Sequence, residues 1–225
     1  MLRVGMLVFA VVASQLAHGA GSGDSGIDMI AAHSACDGSV FKALAADAAR
    51  WKKEPSFRVS RGMGGFHVDD RKPKENAGRN GDAVSIFRKP VKINDFLLTG
   101  WFDSDLSAWS RFSRYEISFL TWGFYIDADS ADVRDWLRRR VPAIGRRLQA
   151  SSAEKEGVFC IDETWQNGKW VAQSCTADEA FPTDPVPHRW LVIRPDGPGS
   201  DQSVLSCELT GKLDEGLLKQ LRPDL

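Results

Sequence analysis

Apolar positions along this chain fall into helical, alternating and continuous patterns, and each predicts a different element. Val40, Phe41, Leu44, Ala45, Ala48 and Trp51 recur at helical spacing, which predicts an amphipathic helix from Ser39 to Lys53, stopped by Pro55. A second helical stripe runs through Val133, Trp136, Leu137, Val141, Ile144 and Leu148. Asp129 or Ser130 caps it, and Asp132 favours the positive end of its dipole. Pro142 has no amide proton and would clash inside a regular helix, so a bend or a break is expected between Arg140 and Ala143. A short third helix is expected around Asp214 to Leu221.

Between the helices the pattern shortens to strands. These are expected at Phe57 to Ser60, Gly65 to Asp69, Val84 to Arg88, Lys92 to Phe102 with a break at Pro90, Tyr115 to Ile126, Arg189 to Arg194 and Ser203 to Leu209. The polar stretch from Arg71 to Asp82 reads as an exposed loop. Antiparallel runs with a few packed helices give an α+β class, mainly antiparallel sheet.

One segment predicts its own register. Asn167-Gly168 separates two apolar-polar runs, and both of these residues accept the positive φ that a two-residue hairpin turn requires. Trp165 then faces Trp170, and Cys160 faces Cys175 in a hydrogen-bonded pair, where α-carbons about 5.5 Å apart suit a disulfide. The four cysteines are Cys36, Cys160, Cys175 and Cys207, so elimination leaves Cys36 for Cys207. Zinc is a weak alternative, because no pair has CxxC spacing.

The continuous pattern lies at the start. Arg3 precedes an uncharged run from Val4 to Ala17, followed by small residues at Ala17 and Gly19, which predicts a signal peptide over residues 1–19. The run is too short to span a bilayer, which takes about 20 apolar residues. His33 and the nearby Asp24 and Asp28 argue against a lipidated Cys36. The expected organisation is a signal peptide, a flexible lead-in over 20–35 and one disulfide-bonded domain over 36–225, periplasmic or secreted. Losing Arg3 takes the 29 basic residues to 28 against 30 acidic ones, a near-neutral balance that argues against a general nucleic-acid binder. With 43% hydrophobic residues the chain can bury a substantial core.

Candidate chemistry is sparse, with no metal, cofactor or nucleophile motif, so no cofactor is expected and no catalytic residue is assigned. His67 and Asp69 lie on one side of an expected strand, where a carboxylate could orient an imidazole. The competing reading is a plain strand end. Asp103 with Asp105, or Asp162 with Glu163, would suit a glycosidase only if folding set their separation, and 30 acidic residues make such pairs common. The glycines of Gly62-Met63-Gly64-Gly65 read as a turn or bulge.

Of eight tryptophans, most sit in apolar runs and read as core, leaving Trp165 and Trp170 as candidates for surface contact. Around the second helix, Arg134, Arg138, Arg139, Arg140, Arg146 and Arg147 outnumber Asp129, Asp132 and Asp135. The Arg138, Arg139 and Arg146 face would suit an acidic partner, against the plain alternative of a solvated helix side. The expected function is a non-catalytic interaction protein of inhibitor or immunity type with a protein partner in the envelope. The alternative is an envelope hydrolase acting on cell-wall or carbohydrate substrates.

Overall fold

The computed structural model describes residues 25–46, 59–62, 65–68, 83–93, 95–103, 118–150, 157–175 and 185–223. Its centre is an eight-stranded antiparallel sheet made of β3 (Ala83–Ile93), β4 (Phe96–Asp103), β5 (Ser118–Ile126), β6 (Gln149–Ala150), β7 (Phe159–Gln166), β8 (Lys169–Gln173), β9 (His188–Pro195) and β10 (Ser203–Gly211). The spatial order is β3, β4, β5, β10, β9, β7, with β6 and β8 sharing the far side of β7. β1 (Val59–Gly62) and β2 (Gly65–Val68) form a separate antiparallel pair in which Gly62 opposes Gly65. The α+β class expected from the pattern is thus the class observed.

Helices α1 (Ser25–Ser34), α2 (Ser39–Ala46), α3 (Ser130–Arg140) and α5 (Glu215–Leu221) contribute their apolar sides to one core with the sheet. Met29 and Ile30 enter it from α1, Val40, Phe41 and Leu44 from α2, Val133, Trp136 and Leu137 from α3, and Leu217, Leu218 and Leu221 from α5. Trp101, Trp122, Phe124, Leu191, Ile193, Leu205 and Leu209 meet them from the strands. A smaller cluster of Val158, Cys160, Cys175, Trp190 and Val192 lies on the opposite face of the sheet.

Several expectations need correction. The stretch expected as a flexible lead-in contains α1, so the packed part begins before Cys36, because Met29, Ile30 and His33 supply one buried stripe. β3 runs through Pro90 without ending there. As an edge strand it tolerates a missing amide, and the irregularity shows as a register shift between Ile86 and Val91. The expected strand from Lys92 to Phe102 is divided instead by the turn before Phe96. The first-helix expectation holds for Ser39–Ala46, and the remainder to Lys53 lies outside the described residues, as do the signal segment and the loop from Arg71 to Asp82.

The helix break falls where Pro142 predicts it: α3 ends at Arg140 and α4 (Pro142–Gly145) starts on the proline. Asp129 caps α3, its carboxylate accepting from the Ala131 amide at 2.7 Å, a contact worth about 1 kcal/mol. Asn167 and Gly168 both have positive φ, 51° and 78°, and Trp165 pairs with Trp170. Cys160 and Cys175 stand at disulfide distance with Cα atoms 5.7 Å apart, and Cys36 and Cys207 likewise at 5.3 Å. The β7–β8 ladder stops at Asp162 and Gln173, however, and Gln149 of β6 takes the backbone position beside Cys160. The first bridge therefore lies just beyond the ladder rather than within it. Among the described residues, no helix is long and apolar enough to cross a membrane.

Candidate functional site

Side chains of β7 alternate between the two faces of the sheet, so its neighbouring acids part company. Glu163 and Trp165 join Ile161 on the helix-bearing face, while Asp162 joins Cys160 on the other. Asp162 and Glu163 therefore cannot act together as a catalytic pair.

Glu163 opposes Arg189 across the β7–β9 pairing. Its Oε2 accepts from Arg189 Nε at 3.0 Å and also from Nη2, and its Oε1 accepts from Arg147 Nη2. Arg147 reaches it from the turn after α4. Burial lowers the pKa of Arg189, and the charge and hydrogen bonds of Glu163 oppose that shift. Arg189 also donates to the Cys36 carbonyl at 3.5 Å and stacks over Trp170, with Cζ 4.4 Å from the ring centroid. Trp170 meets Trp165 edge to face, 5.1 Å between centroids. The result is one connected corner: Arg147, Glu163, Arg189, Trp170, Trp165. Beside it, Ser34, Cys36, Ile144 and Leu191 line a notch of about 10 Å³, room for roughly one water.

The expected surface tryptophans are thus half-buried and packed against the core edge. The expected arginines lie close by in the chain. Arg138, Arg139 and Arg146 are exposed, as is Arg140. Gly145 brings the two helices together, since a β-carbon there would come within 2.3 Å of the Arg138 Cα. Asp135 contacts Arg134 at 2.7 Å and Arg138 at 3.8 Å.

The other candidates separate from this corner. His67 lies in β2 opposite Ser60, and Asp69 lies outside the described residues. Asp103 is held by Arg222 through two contacts of 3.0 and 3.2 Å, and Arg222 has no exposed surface. Stacking of Arg222 over Phe41 at 4.7 Å and near Trp122 at 5.1 Å completes a buried clasp between β4 and the end of the chain. Asp105 lies outside the described residues.

On the far face, Asp162, Trp190 and Glu208 form one row across β7, β9 and β10. His188 Nδ1 is 3.8 Å from Asp162, and Ser206 Oγ donates to Glu208 at 3.2 Å. Both carboxylates are buried, at 4% and 5% exposure. Among the described residues, no three metal-ligating side chains come together. The sequence reading missed the Glu163 corner, the Arg222 clasp and this row. The Glu163 corner and the row depend on pairing between strands, and the clasp on where the last helix docks, so none is specified by neighbouring residues. No protein-family model, curated protein or solved structure matches this chain.

Proposed function

We propose that this is an exported, non-catalytic interaction protein of inhibitor or immunity type that binds a protein partner in the envelope. The observation carrying this reading is the pairing of a rigid aromatic corner, Trp165 and Trp170 backed by Arg189, with exposed arginines on the neighbouring helices. Aromatic and arginine side chains held in place before contact are what binding hot spots are made of, because little conformational freedom remains to be lost. The acids offered as catalytic are otherwise engaged: Glu163 by two arginines and Asp103 by Arg222.

A photo-crosslinking residue placed at Gln166, at Arg139 or at Gln220 on α5 tests the reading in the cell envelope. The expected result is an adduct of one constant mass from the first two positions and none from Gln220. Equal labelling from all three would overturn it.

The row of Asp162, Trp190 and Glu208 favours a second reading, an envelope hydrolase. Two strand spacings separate the acids, about 10 Å between backbones, with both side chains on one face of the sheet, and a carboxyl pair on opposite sides of a sugar is what inverting glycosidases use. Their burial weighs against it. Release of reducing sugar from cell-wall glycan, abolished by Asp162→Asn or Glu208→Gln, would favour the hydrolase.

A further inference from the structure

From Trp136 to Arg147 the chain carries five arginines and neither a lysine nor a carboxylate. Arg147 is engaged by Glu163. Arg138, Arg139, Arg140 and Arg146 remain exposed, and among the described residues only Arg138 makes ion-pair contact with an acid, Asp135 at 3.8 Å, whose charge Arg139 also senses. Three of the four also lie in the last turn of α3, where they offset the helix dipole. Arg146 does not. The break at Pro142 and the close approach of Gly145 to Arg138 fold it back beside that turn.

We infer that the α3–α4 surface formed by Arg138, Arg139, Arg140 and Arg146 binds a carboxylate-rich segment of a protein partner. This rests on the interaction-protein reading and names the partner's chemistry. A guanidinium presents a planar fork that matches a carboxylate with two parallel hydrogen bonds, whereas lysine offers only a point charge. An all-arginine surface is therefore suited to geometric recognition of carboxylates. The fold already uses this chemistry one residue further on, where Arg147 and Arg189 together hold Glu163. An anionic membrane is disfavoured, because attachment of an amphipathic helix needs an apolar face free to insert. Val133, Trp136 and Leu137 of α3 are buried in the core, and among the described residues the large exposed apolar ones are Ile86, Leu97 and Val186, none of them in α3 or α4.

The test uses the whole mature chain, with fluorescein-labelled polyglutamate as probe and phosphatidylglycerol vesicles as the competing surface. Polyglutamate should bind with an affinity that falls as salt rises. The R138Q/R139Q/R146Q variant should bind about tenfold more weakly and with a shallower salt dependence. R138K/R139K/R146K keeps the charge but loses the forks, and should also weaken binding several-fold. Unchanged polyglutamate affinity in the glutamine variant, equal affinity in the lysine variant, or tighter binding to the vesicles would each overturn the inference. Failure of the native chain to bind polyglutamate, with the Gln166 crosslink intact, would refute the partner's acidity alone. Loss of the crosslink would refute the interaction reading beneath it.

Discussion

His33 lies wholly buried against Trp101 and Phe124, its ring centroid 6.2 and 5.3 Å from theirs. Its Nε2 is 3.1 Å from the Leu205 carbonyl and so carries the proton, while Nδ1 is buried with no hydrogen-bond partner. Protonating Nδ1 would place a charged donor in an apolar core with nothing to accept from it. Burial accordingly lowers the pKa from 6.5 to about 3, against a smaller raising effect of the Leu205 carbonyl. Between these values the unfolded chain holds a proton that the folded one lacks. The contribution is therefore complete above the unfolded pKa of 6.5 and is lost as pH falls towards the folded value of about 3. The slope is about 1.4 kcal/mol per pH unit, so acidification by two units below 6.5 should remove roughly 2 to 3 kcal/mol, most of it before ordinary carboxylates titrate. Urea unfolding at a series of pH values, for the native chain and for His33→Gln, measures this directly. Glutamine can still donate to the Leu205 carbonyl but does not titrate, so the difference between the two chains isolates His33 from His67 and His188. Parallel pH profiles would refute the account, whatever the absolute stability of the variant.

Two further outcomes follow from buried groups. Arg222→Leu would take the guanidinium from buried Asp103 and should cost about 3 to 5 kcal/mol by urea unfolding, and restoration of stability by adding Asp103→Leu would show that the cost lies in the broken ion pair. The two disulfides should differ in weight. Their sequence separations of 171 and 15 give about 5 and about 3 kcal/mol in the chain-entropy model, so a Cys36→Ser, Cys207→Ser pair should lower the unfolding midpoint more than Cys160→Ser with Cys175→Ser. Equal losses would show that loop length does not govern this framework.

The elements legible in the sequence are those specified by neighbouring residues. Asn167-Gly168 sets its own turn and hence the Trp165–Trp170 pair, and Pro142 ends α3 by its own missing amide. Where the sheet's order decides, local reading fails. Pro90 reads as a break until β3 is known to be an edge strand. β6 is two residues of unremarkable sequence that become a strand because the edge of β7 beside Phe159 and Cys160 is open to them. The candidate site divides in the same way. Its tryptophans and arginines were visible as residue types, but Glu163 and Arg189 become partners only through β9 pairing with β7.

Charge shows most clearly how the fold changes the meaning of composition. The whole chain has 29 basic and 30 acidic residues, a balance that suggests no preference of partner. Folding distributes the compensation unevenly. Asp103 takes Arg222 into the core, Glu163 takes Arg147 and Arg189 at its edge, and Asp135 takes Arg134. Asp129 is committed to the start of α3. On the α3–α4 surface the acids are thus placed towards the beginning of α3 or already engaged, while Arg139 and Arg140 stand exposed at its end and Arg146 after α4, with no carboxylate among the described residues in ion-pair contact. A neutral chain can in this way present a locally cationic surface, and the sign of that surface, rather than the net charge, is what a partner meets within a Debye length of about 8 Å.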